Sequence, residues 1–584
     1  MHKTTYLFIV LSCFACDNDA DPAKGTPDAA RWQKLTLNFT GPDTHEQDSI
    51  NPFRTYRLDV AFINGNERLV VPGFYAADGR AAETGAASGN VWQVRFRPPA
   101  EGQWQYAARF TGAEDLARYD REGTVLVGPP APADPGRLQR THPRYLQWSG
   151  SGDYFLKAGP NSPENLLAYA DFDGTYRHSE NFREGESKTE GLHTYAPHER
   201  DYAGGRTWRG RRGRGLFGAL SYLAGTGVNG IYFLTMNING DGKDVFPFVA
   251  HDSLDRYDVS KLDQWERIFD HADSLGMMLN MVLQETENES LLDGGDTGPL
   301  RQLYFRELIA RFGHHRALTW NLGEENGPNN WSDNPQDNEQ QRAMADYFEA
   351  HDPYHNHTVL HTHSNPKETA EIMDPLLGDP ALDGLSLQLH HPYEAYDVVR
   401  RWIAKSEAAG QPWLVTLDEA GPWYRGLDPD AGYGVDVSLN NQDSMRALAL
   451  WGTLMAGGGG GEWYSGAFQQ TNDLNTEDFR TRDRAWRWSG YALNFFRDHL
   501  PFQDMRPDTT LAANPDVMVL AGEDGPYALY FPFGGSTPLN LGETEGMNVR
   551  WYNPREGGAL TAPEPLEGST LTCPGEGDWA AILR

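Results

Sequence analysis

The sequence predicts an α/β protein, a (β/α)₈ TIM barrel flanked by an N-terminal and a C-terminal β-sandwich domain. Two observations carry this prediction. In the middle of the chain, eight strand-like runs alternate with amphipathic helical runs over about 350 residues, a normal length for this barrel. On either side, short runs of alternating polar and apolar residues follow one another between glycine and proline turns, without intervening helices.

The first 30 residues predict export. A basic start precedes an apolar run over residues 6–15, which is too short to span a bilayer and is typical of a signal peptide. The run ends near Cys13 and Cys16, a pattern similar to a bacterial lipoprotein signal, with either cysteine as the attachment site. Residues 1–16 are therefore predicted to be the signal peptide and residues 17–30 a flexible tether. We expect a lipid-anchored protein of the cell envelope, with the anchor as its only membrane contact.

The segment 31–130 is predicted to be an Ig-like β-sandwich. Turn signals such as Asn64-Gly65 and Asp78-Gly79 separate its strands. The strands expected here cover residues 35–39, 56–62, 91–96 and 104–110. Residues 131–145 are rich in proline and are predicted to be a linker.

Residues 146–506 are predicted to form the barrel, and residues 507–584 the second sandwich. The expected barrel strands cover residues 154–158, 231–236, 277–284, 318–322, 358–361, 385–390, 413–418 and 457–464. The expected helices include residues 216–224, 261–275, 299–312, 337–350, 395–409, 442–455 and 484–500. The strands expected in the C-terminal domain cover residues 517–520, 527–531, 549–552 and 580–583.

Composition argues against one class of partner. The formal net charge is −32, so nucleic acid is not expected to bind, because its phosphates would be repelled. The 17 tryptophans supply large cores, and their ring faces also suit stacking on sugars. Outside the leader the only cysteine is Cys573, so no disulfide framework is expected.

Two of the predicted barrel strands end in carboxylates. Glu324 and Glu325 follow the fourth strand, and Glu419 ends the seventh, 94 residues after Glu325. That spacing equals three βα units of about 31 residues each. Because the carboxyl ends of barrel strands share one face, the acids are expected to converge there, as a two-acid glycoside-hydrolysis site requires. Taken singly, each acid has the alternative of a surface or helix-capping role.

This placement resembles the retaining glycoside hydrolases of clan A. There the fourth strand ends in Asn-Glu, with the Glu as acid/base, and the seventh ends in the nucleophilic Glu. The layout is also similar to bacterial secreted hydrolases that combine a sandwich of unknown function, such a barrel, and a C-terminal sandwich provisionally labelled as collagen-binding. The segments that carry the resemblance are Trp320-Asn-Leu-Gly-Glu-Glu-Asn326, Leu417-Asp-Glu-Ala-Gly421 and Met236-Asn-Ile-Asn-Gly-Asp-Gly242.

The resemblance implies that Glu325 is the acid/base and Glu419 the nucleophile. Glu324 stands where the clan has Asn, so it would accept the hydrogen bond of the sugar 2-hydroxyl and raise the pKa of Glu325. The alternative, that Glu324 is itself the acid, stays open.

Further candidate substrate-binding residues surround these acids. Trp463 and Tyr464, at the end of the last barrel strand, are predicted to form a sugar-stacking platform, with packing in the core as the alternative. The remaining candidates are Trp320, Asn326, Asn237, Asp241, His390, His391 and Tyr393.

No metal or cofactor is predicted. His361 and His363 add two histidines near the same rim, but no helical His-x-x-x-His pair supports zinc. The segment 237–242 mimics the start of a calcium loop, although its twelfth position is Phe248 where such loops have Glu.

Five arginines within residues 206–214 predict an anionic substrate. Arg211 and Arg212 lie in the connection after the first strand, and guanidinium groups bind carboxylate or sulfate. The alternative is that these arginines neutralise nearby acids of the chain itself.

The sequence thus predicts a retaining glycoside hydrolase that acts on a poly- or oligosaccharide, sulfated or uronic if the arginines bind it. Two other classes remain: a non-catalytic carbohydrate-binding or adhesion lipoprotein, and a polysaccharide lyase.

Overall fold

The computed structural model describes residues 27–584, except 179–188, 190, 243, 330, 331, 333, 435–439 and 543–545. The predicted signal peptide, with Cys13 and Cys16, lies outside the described residues. Within them, an eight-stranded parallel barrel stands between two antiparallel sandwiches, which confirms the predicted fold class. None of the described helices has both the length and the apolarity that crossing a membrane requires.

The N-terminal sandwich packs a five-stranded sheet, in the order β1-β8-β7-β3-β4, against a three-stranded sheet, β2-β6-β5. Inward-facing aromatic rings fill the space between them, and Phe62 and Phe96 stack with centroids 3.9 Å apart. Its strands are β1 (Ala29–Ala30), β2 (Leu35–His45), β3 (Arg57–Asn64), β4 (Glu67–Pro72), β5 (Phe74–Tyr75), β6 (Ser88–Phe96), β7 (Gly102–Thr111) and β8 (Arg121–Gly128). Two short helices, α1 (Pro52–Thr55) and α2 (Ala81–Thr84), join them.

The predicted linker carries regular structure and contacts the barrel. Leu138–Gln139 (β9), Leu146–Trp148 (β10) and Tyr154–Phe155 (β11) form a small antiparallel sheet. Arg140 Nη1 lies 2.6 Å from Asp383 Oδ1. The proline-rich composition of this segment gave no sign of these tertiary contacts. Because residues 154–155 pair with β10, the first barrel strand begins at residue 157.

The barrel strands follow the order in the chain. They are β12 (Lys157–Pro160), β13 (Gly230–Leu234), β14 (Met278–Val282), β15 (Leu318–Asn321), β16 (His357–His361), β17 (Gly384–Leu389), β18 (Leu414–Ala420) and β19 (Gly460–Trp463). Seven neighbouring pairs are hydrogen-bonded in parallel. At the seam between β12 and β13, the Asn229 N–H donates to Ala158 O at 2.8 Å and nearly closes the barrel.

Helices surround the barrel, and most lie within two residues of the predicted bounds. They are α3 (Arg214–Thr226), α4 (Val259–Leu275), α5 (Pro299–Phe312), α6 (Asn338–His351), α7 (Pro366–Met373), α8 (Ala395–Ala408), α9 (Gln442–Ser444), α10 (Trp451–Met455) and α11 (Asp483–His499). The segment Met445–Leu450, between α9 and α10, is π-helical.

The C-terminal sandwich joins a six-stranded sheet, in the order β20-β21-β22-β27-β24-β25, to the pair β23-β26. It docks on the barrel through the ring of Tyr530, which stacks on Trp451 at 4.6 Å, and through the ion pair of Asp578 with Arg446 at 2.8 Å. Its strands are β20 (Arg506–Pro507), β21 (Met518–Ala521), β22 (Tyr527–Phe531), β23 (Ser536–Pro538), β24 (Asn548–Tyr552), β25 (Glu564–Pro565), β26 (Thr570–Thr572) and β27 (Trp579–Leu583).

Candidate active site

A bulge in strand β18 aims Glu419 at the mouth of the barrel. Along β17 and β18, Leu387 pairs with Leu417, but the next pair is Gln388 with Glu419, so Asp418 is an extra residue. Without the bulge, strand alternation would put Asp418 and Glu419 on opposite faces. With it, Asp418 points into the barrel and Glu419 accepts a hydrogen bond from Gln388 Nε2 at 2.7 Å.

The fourth strand delivers two acids to the same mouth. Glu324 is buried, and its Oε1 accepts a hydrogen bond from the Tyr232 hydroxyl at 2.7 Å. Glu325 is more exposed and has a φ of 43°, a left-handed conformation that non-glycine residues seldom adopt. Its backbone N–H donates to His361 Nδ1 at 3.1 Å. Such backbone strain is common where a side chain must be held for function.

Burial and mutual repulsion raise the pKa of all three carboxyls. Burial raises the pKa of Glu324 to about 8, partly offset by the Tyr232 hydrogen bond. Burial likewise raises the pKa of Glu325 to about 7, although Gln388 lowers it in part. The pKa of Glu419 lies well above its usual range because of burial and the nearby charges of Glu325 and Glu324. Raised pKa values of this kind are expected where several neighbouring carboxyls share one proton.

His361 completes the surroundings of Glu419. Its Nε2 lies 4.0 Å from Glu419 Oε2. Burial lowers the pKa of His361 to about 3, so the imidazole is neutral. Since Nδ1 accepts the N–H of Glu325, the single ring proton is on Nε2 and faces Glu419. His361 therefore holds the backbone of Glu325 by a hydrogen bond and faces Glu419 without bonding to it.

Three further acids, none of them among the predicted site residues, extend the negative surface of the mouth. The carboxylates of Glu164, Glu285 and Glu324 approach one another within 4.8 Å, as do those of Glu164, Asp241 and Asp473. Glu164, Glu285 and Asp473 follow strands one, three and eight. No motif surrounds them in the sequence, and only the closure of the barrel brings them together.

Two predicted tryptophans lie outside the mouth. The Trp320 indole N–H donates to Asp352 Oδ2 at 2.9 Å, and its ring packs on Phe348 of α6. The Trp463 indole N–H donates to Ser489 Oγ of α11 at 2.9 Å. Both side chains point from their strands towards the helices, because successive strand residues face opposite sides. These directions contradict the prediction that Trp320 and Trp463 contact the substrate.

Two predicted asparagines hold loops in place. Asn237 donates to Asp244 Oδ1 at 2.9 Å, and its Oδ1 accepts two backbone N–H groups. Asn326 donates to Gln336 and accepts from Gln341, each at 2.8 Å. Both side chains are buried and engaged in these contacts, so they shape the mouth and do not offer groups to a ligand.

The other predicted residues lie at or near the mouth. Tyr464 is buried, and its hydroxyl donates to Asp473 Oδ2 at 3.0 Å. His390, His391 and Tyr393 follow β17; the rings of His391 and Tyr393 stack at 5.0 Å, and Tyr393 is 64% exposed. Asp241 is exposed in the loop after β13.

An exposed aromatic group that was not predicted lies beside Tyr464. Trp423, Tyr424 and Phe468, called the rim aromatics below, are 55%, 44% and 75% exposed. The Trp423 ring lies 5.0 Å from that of Phe468, and backbone hydrogen bonds join the two loops that carry them. The Tyr464 hydroxyl also contacts Trp423 O at 3.0 Å. Trp423 lies four residues after Glu419, and this short distance in the sequence could have identified it as a candidate site residue.

The arginines of residues 206–214 pair with acids of the chain itself. Arg211 lies 3.3 Å from Glu199, and Arg212 lies 3.2 Å from Asp173. Arg209 also pairs with Asp173, at 2.5 Å. These contacts fit the alternative interpretation, in which the arginines neutralise nearby acids.

Comparisons with known proteins agree with this architecture. A family model described as a domain of unknown function, DUF5060, matches residues 28–111. No curated protein matches the chain. A Bacteroides vulgatus structure provisionally described as a glycoside hydrolase is 14% identical, with a TM-score of 0.62, and covers 95% of this chain and 99% of its own.

Two more solved structures share the fold. One titled glycoside hydrolase is 15% identical, with a TM-score of 0.53, over 77% of this chain and 96% of its own. A Bacteroides vulgatus protein titled glycoside hydrolase family 5 is 17% identical, with a TM-score of 0.53, over 77% and 93%. At these identities the likeness establishes the fold of the chain.

Proposed function

We propose that this protein is a retaining glycoside hydrolase of poly- or oligosaccharides. The observation that carries the proposal is that Glu325 and Glu419 follow strands four and seven at one mouth, where Gln388 donates to Glu419 and also lowers the pKa of Glu325. Two carboxyls near one another, one protonated and one ionised, are what this reaction needs.

In the proposed mechanism, Glu419 attacks the anomeric carbon while Glu325 protonates the leaving oxygen. Glu325 then removes a proton from a water molecule whose oxygen attacks the anomeric carbon, and the bond from that carbon to Glu419 breaks. Hydrogen bonding from Gln388 favours the ionised form of Glu419, and the Nε2–H of His361 faces the same carboxylate. The proposed mechanism requires the proton of the site to be on Glu325 and the negative charge on Glu419.

Glu325, and not Glu324, is the proposed acid/base. The acid must reach the leaving group and then a water molecule, and Glu325 is the more exposed of the two. Glu324 is buried against Tyr232, which suits a residue that fixes a sugar hydroxyl.

A neutral glycan fits the mouth better than the anionic glycan predicted from Arg211 and Arg212. The acids of the mouth would repel sulfate or carboxylate, and both arginines already have acidic partners. The rim aromatics offer exposed ring faces on which sugars beyond the cleaved bond can stack.

Trapping and variant kinetics test the proposal. A 2-fluoro glycoside should label Glu419, and NMR should show a product of retained anomeric configuration. Glu419→Gln should abolish turnover. Glu325→Gln should slow substrates with poor leaving groups by about 10²–10⁴-fold and spare activated ones, whereas Glu324→Gln should not show this dependence.

Three outcomes would contradict the assignment. An inverted product, or carboxyls of Glu325 and Glu419 about 9 Å apart where retention needs about 5–5.5 Å, would exclude the retaining mechanism. An unsaturated product absorbing in the ultraviolet would indicate a lyase. Binding of glycans without any product would indicate an adhesion protein.

The proposed location is the cell envelope, with a lipid on Cys13 or Cys16. The support is the apolar run that ends at these cysteines. Mass spectrometry of the native protein should find a lipidated cysteine at its N-terminus, and an unmodified terminus cut elsewhere would contradict the anchor.

A further inference from the structure

Three acids from three different loops meet at the edge of the mouth. Glu164 follows β12, Asp241 follows β13 and Asp473 follows β19. Carboxylate oxygens of all three lie within 4.8 Å of one another. Oxygens that bind one calcium ion at the usual 2.3–2.6 Å are at most about 5 Å apart, so these carboxylates can share an ion.

Glu164 distinguishes this group from an ordinary cluster of surface acids. Its side chain is 5% exposed, and none of the described residues donates a hydrogen bond to its carboxylate. On its other side lie the carboxylates of Glu285 and Glu324, again within 4.8 Å. Ionisation of such a carboxyl among other acids is costly, so the group either keeps a proton, as its raised pKa allows, or is paired with a cation.

Neighbouring groups hold the other two acids towards Glu164. The Tyr464 hydroxyl donates to Asp473 Oδ2 at 3.0 Å. The backbone N–H of Asp241 donates to Glu285 Oε2 at 3.3 Å, which fixes the loop beside the acids. These hydrogen bonds, which are part of the fold of the mouth, therefore set the positions of the acids.

The calcium-like sequence around Asp241 gains a different explanation from this geometry. The Asn237 side chain is engaged by Asp244 and Val245, and Phe248 is fully buried, so the segment does not form a calcium loop by itself. It contributes one ligand, Asp241, to a group completed by two other loops.

We propose that Glu164, Asp241 and Asp473 bind one divalent cation of the calcium type. The donors are all carboxylate oxygens, which suit a hard cation and not zinc. Their origin in three separate loops suits the flexible coordination of calcium better than the strict octahedron of magnesium, with water completing the shell. The ion would bind next to Glu324 and stabilise the loops after strands one, two and eight. The proposal does not depend on the glycosidase function.

Calorimetric titration of the full chain, after chelator treatment and removal of the chelator, tests this site. Calcium should bind with one site per chain, and about 1 mM calcium should raise the Tm. Asp241→Asn, at an exposed position, and Glu164→Gln should each weaken binding by about tenfold or more. Asp346→Asn, an exposed position on α6 far along the chain, is the matched control and should bind as the wild type does.

The outcomes are decisive in both directions. Absence of both heat and a Tm shift in the wild type, or unchanged binding in Asp241→Asn, would overturn the proposal. If Glu164→Gln does not fold, Asp241→Asn alone decides. Magnesium binding as tightly as calcium would overturn the calcium assignment. The titration contains no glycan, so its failure leaves the proposed hydrolase untouched, and a calcium-binding chain without hydrolytic activity would refute only the hydrolase.

Discussion

At the scale of single residues, Gln388 is a side chain that influences the pKa of both proposed catalytic acids. It donates to Glu419 at 2.7 Å and lowers the pKa of both Glu419 and Glu325. Glu325 must be protonated for the first step, so activity should fall as the pH rises through about 7, the pKa of Glu325. Glu419 must be ionised, and because burial and the charges of Glu325 and Glu324 raise its pKa well above the usual range, the fall of activity towards acid pH should begin at a higher pH than for a free carboxyl.

We expect Gln388→Ala to move both limbs of the pH profile to higher pH. Removing the amide takes away an interaction that lowers both pKa values. Glu325 should therefore stay protonated to a higher pH, and Glu419 should become ionised only at a higher pH. The rate at the optimum should fall by about tenfold or more. The measurement is kcat/KM against pH. Gln302→Ala, exposed on α5, is the control, and a profile that drops without shifting would contradict the role given to Gln388.

At the scale of elements, the bulge in β18 and the loops that follow β18 and β19 decide what faces the substrate. The bulge brings Glu419 to the face that alternation reserves for Asp418. The two loops meet through the hydrogen bonds Ala467 N–H to Trp423 O and Phe468 N–H to Tyr424 O. They thereby hold the exposed rings of Trp423 and Phe468 beside Tyr464 without burying them.

Trp423→Ala should raise KM for a long glycan and leave kcat nearly unchanged. Loss of one stacking face removes about 1 kcal/mol of binding, roughly a fivefold change. Kinetics on oligosaccharides of increasing length measure it, since short substrates should be unaffected. Phe533→Ala, which removes another exposed aromatic ring but in the C-terminal sandwich, is the control. An equal effect on all lengths would show that Trp423 acts on the site itself.

At the scale of the whole molecule, buried ion pairs fix the N-terminal sandwich to the side of the barrel. Arg95 lies 3.0 Å from Glu266, and Arg97 lies 2.7 Å from Asp273, both acids on α4. Arg97 also donates to His314 O at 2.6 Å. The side chains of these pairs are at most 8% exposed. Pairs of this kind destabilise a protein strongly when one partner is removed.

Arg97→Ala should lower the free energy of unfolding by about 1.5–3 kcal/mol, the usual loss for a hydrogen bond to a charged group, because His315 still pairs with Asp273. Arg54→Ala breaks an exposed pair at the same interface, with Asp255, and should cost only about 0–1 kcal/mol. Denaturant unfolding of both variants measures the difference. Equal losses would show that the sandwich docks by apolar contact and not by the buried pairs.

The order of the barrel elements and the strand ends that carry the acids could be predicted from the sequence alone. These features depend on local periodicity, and the helix Pro299–Phe312 and the strand Tyr527–Phe531 have the predicted bounds. Chain order in a (β/α)₈ barrel then places strands four and seven, with Glu325 and Glu419, on one face.

Which side chains meet on that face depends on the three-dimensional fold and could not be predicted from the sequence. Glu164 and Asp473 are about 300 residues apart and carry no motif, so only barrel closure could join them. The outward direction of Trp320 and Trp463 depends on strand register, and that of Glu419 on one bulged residue, because a shift of one position exchanges the two faces of a strand. The acidic partners of the arginines after strand one could not be identified from their spacing in the sequence.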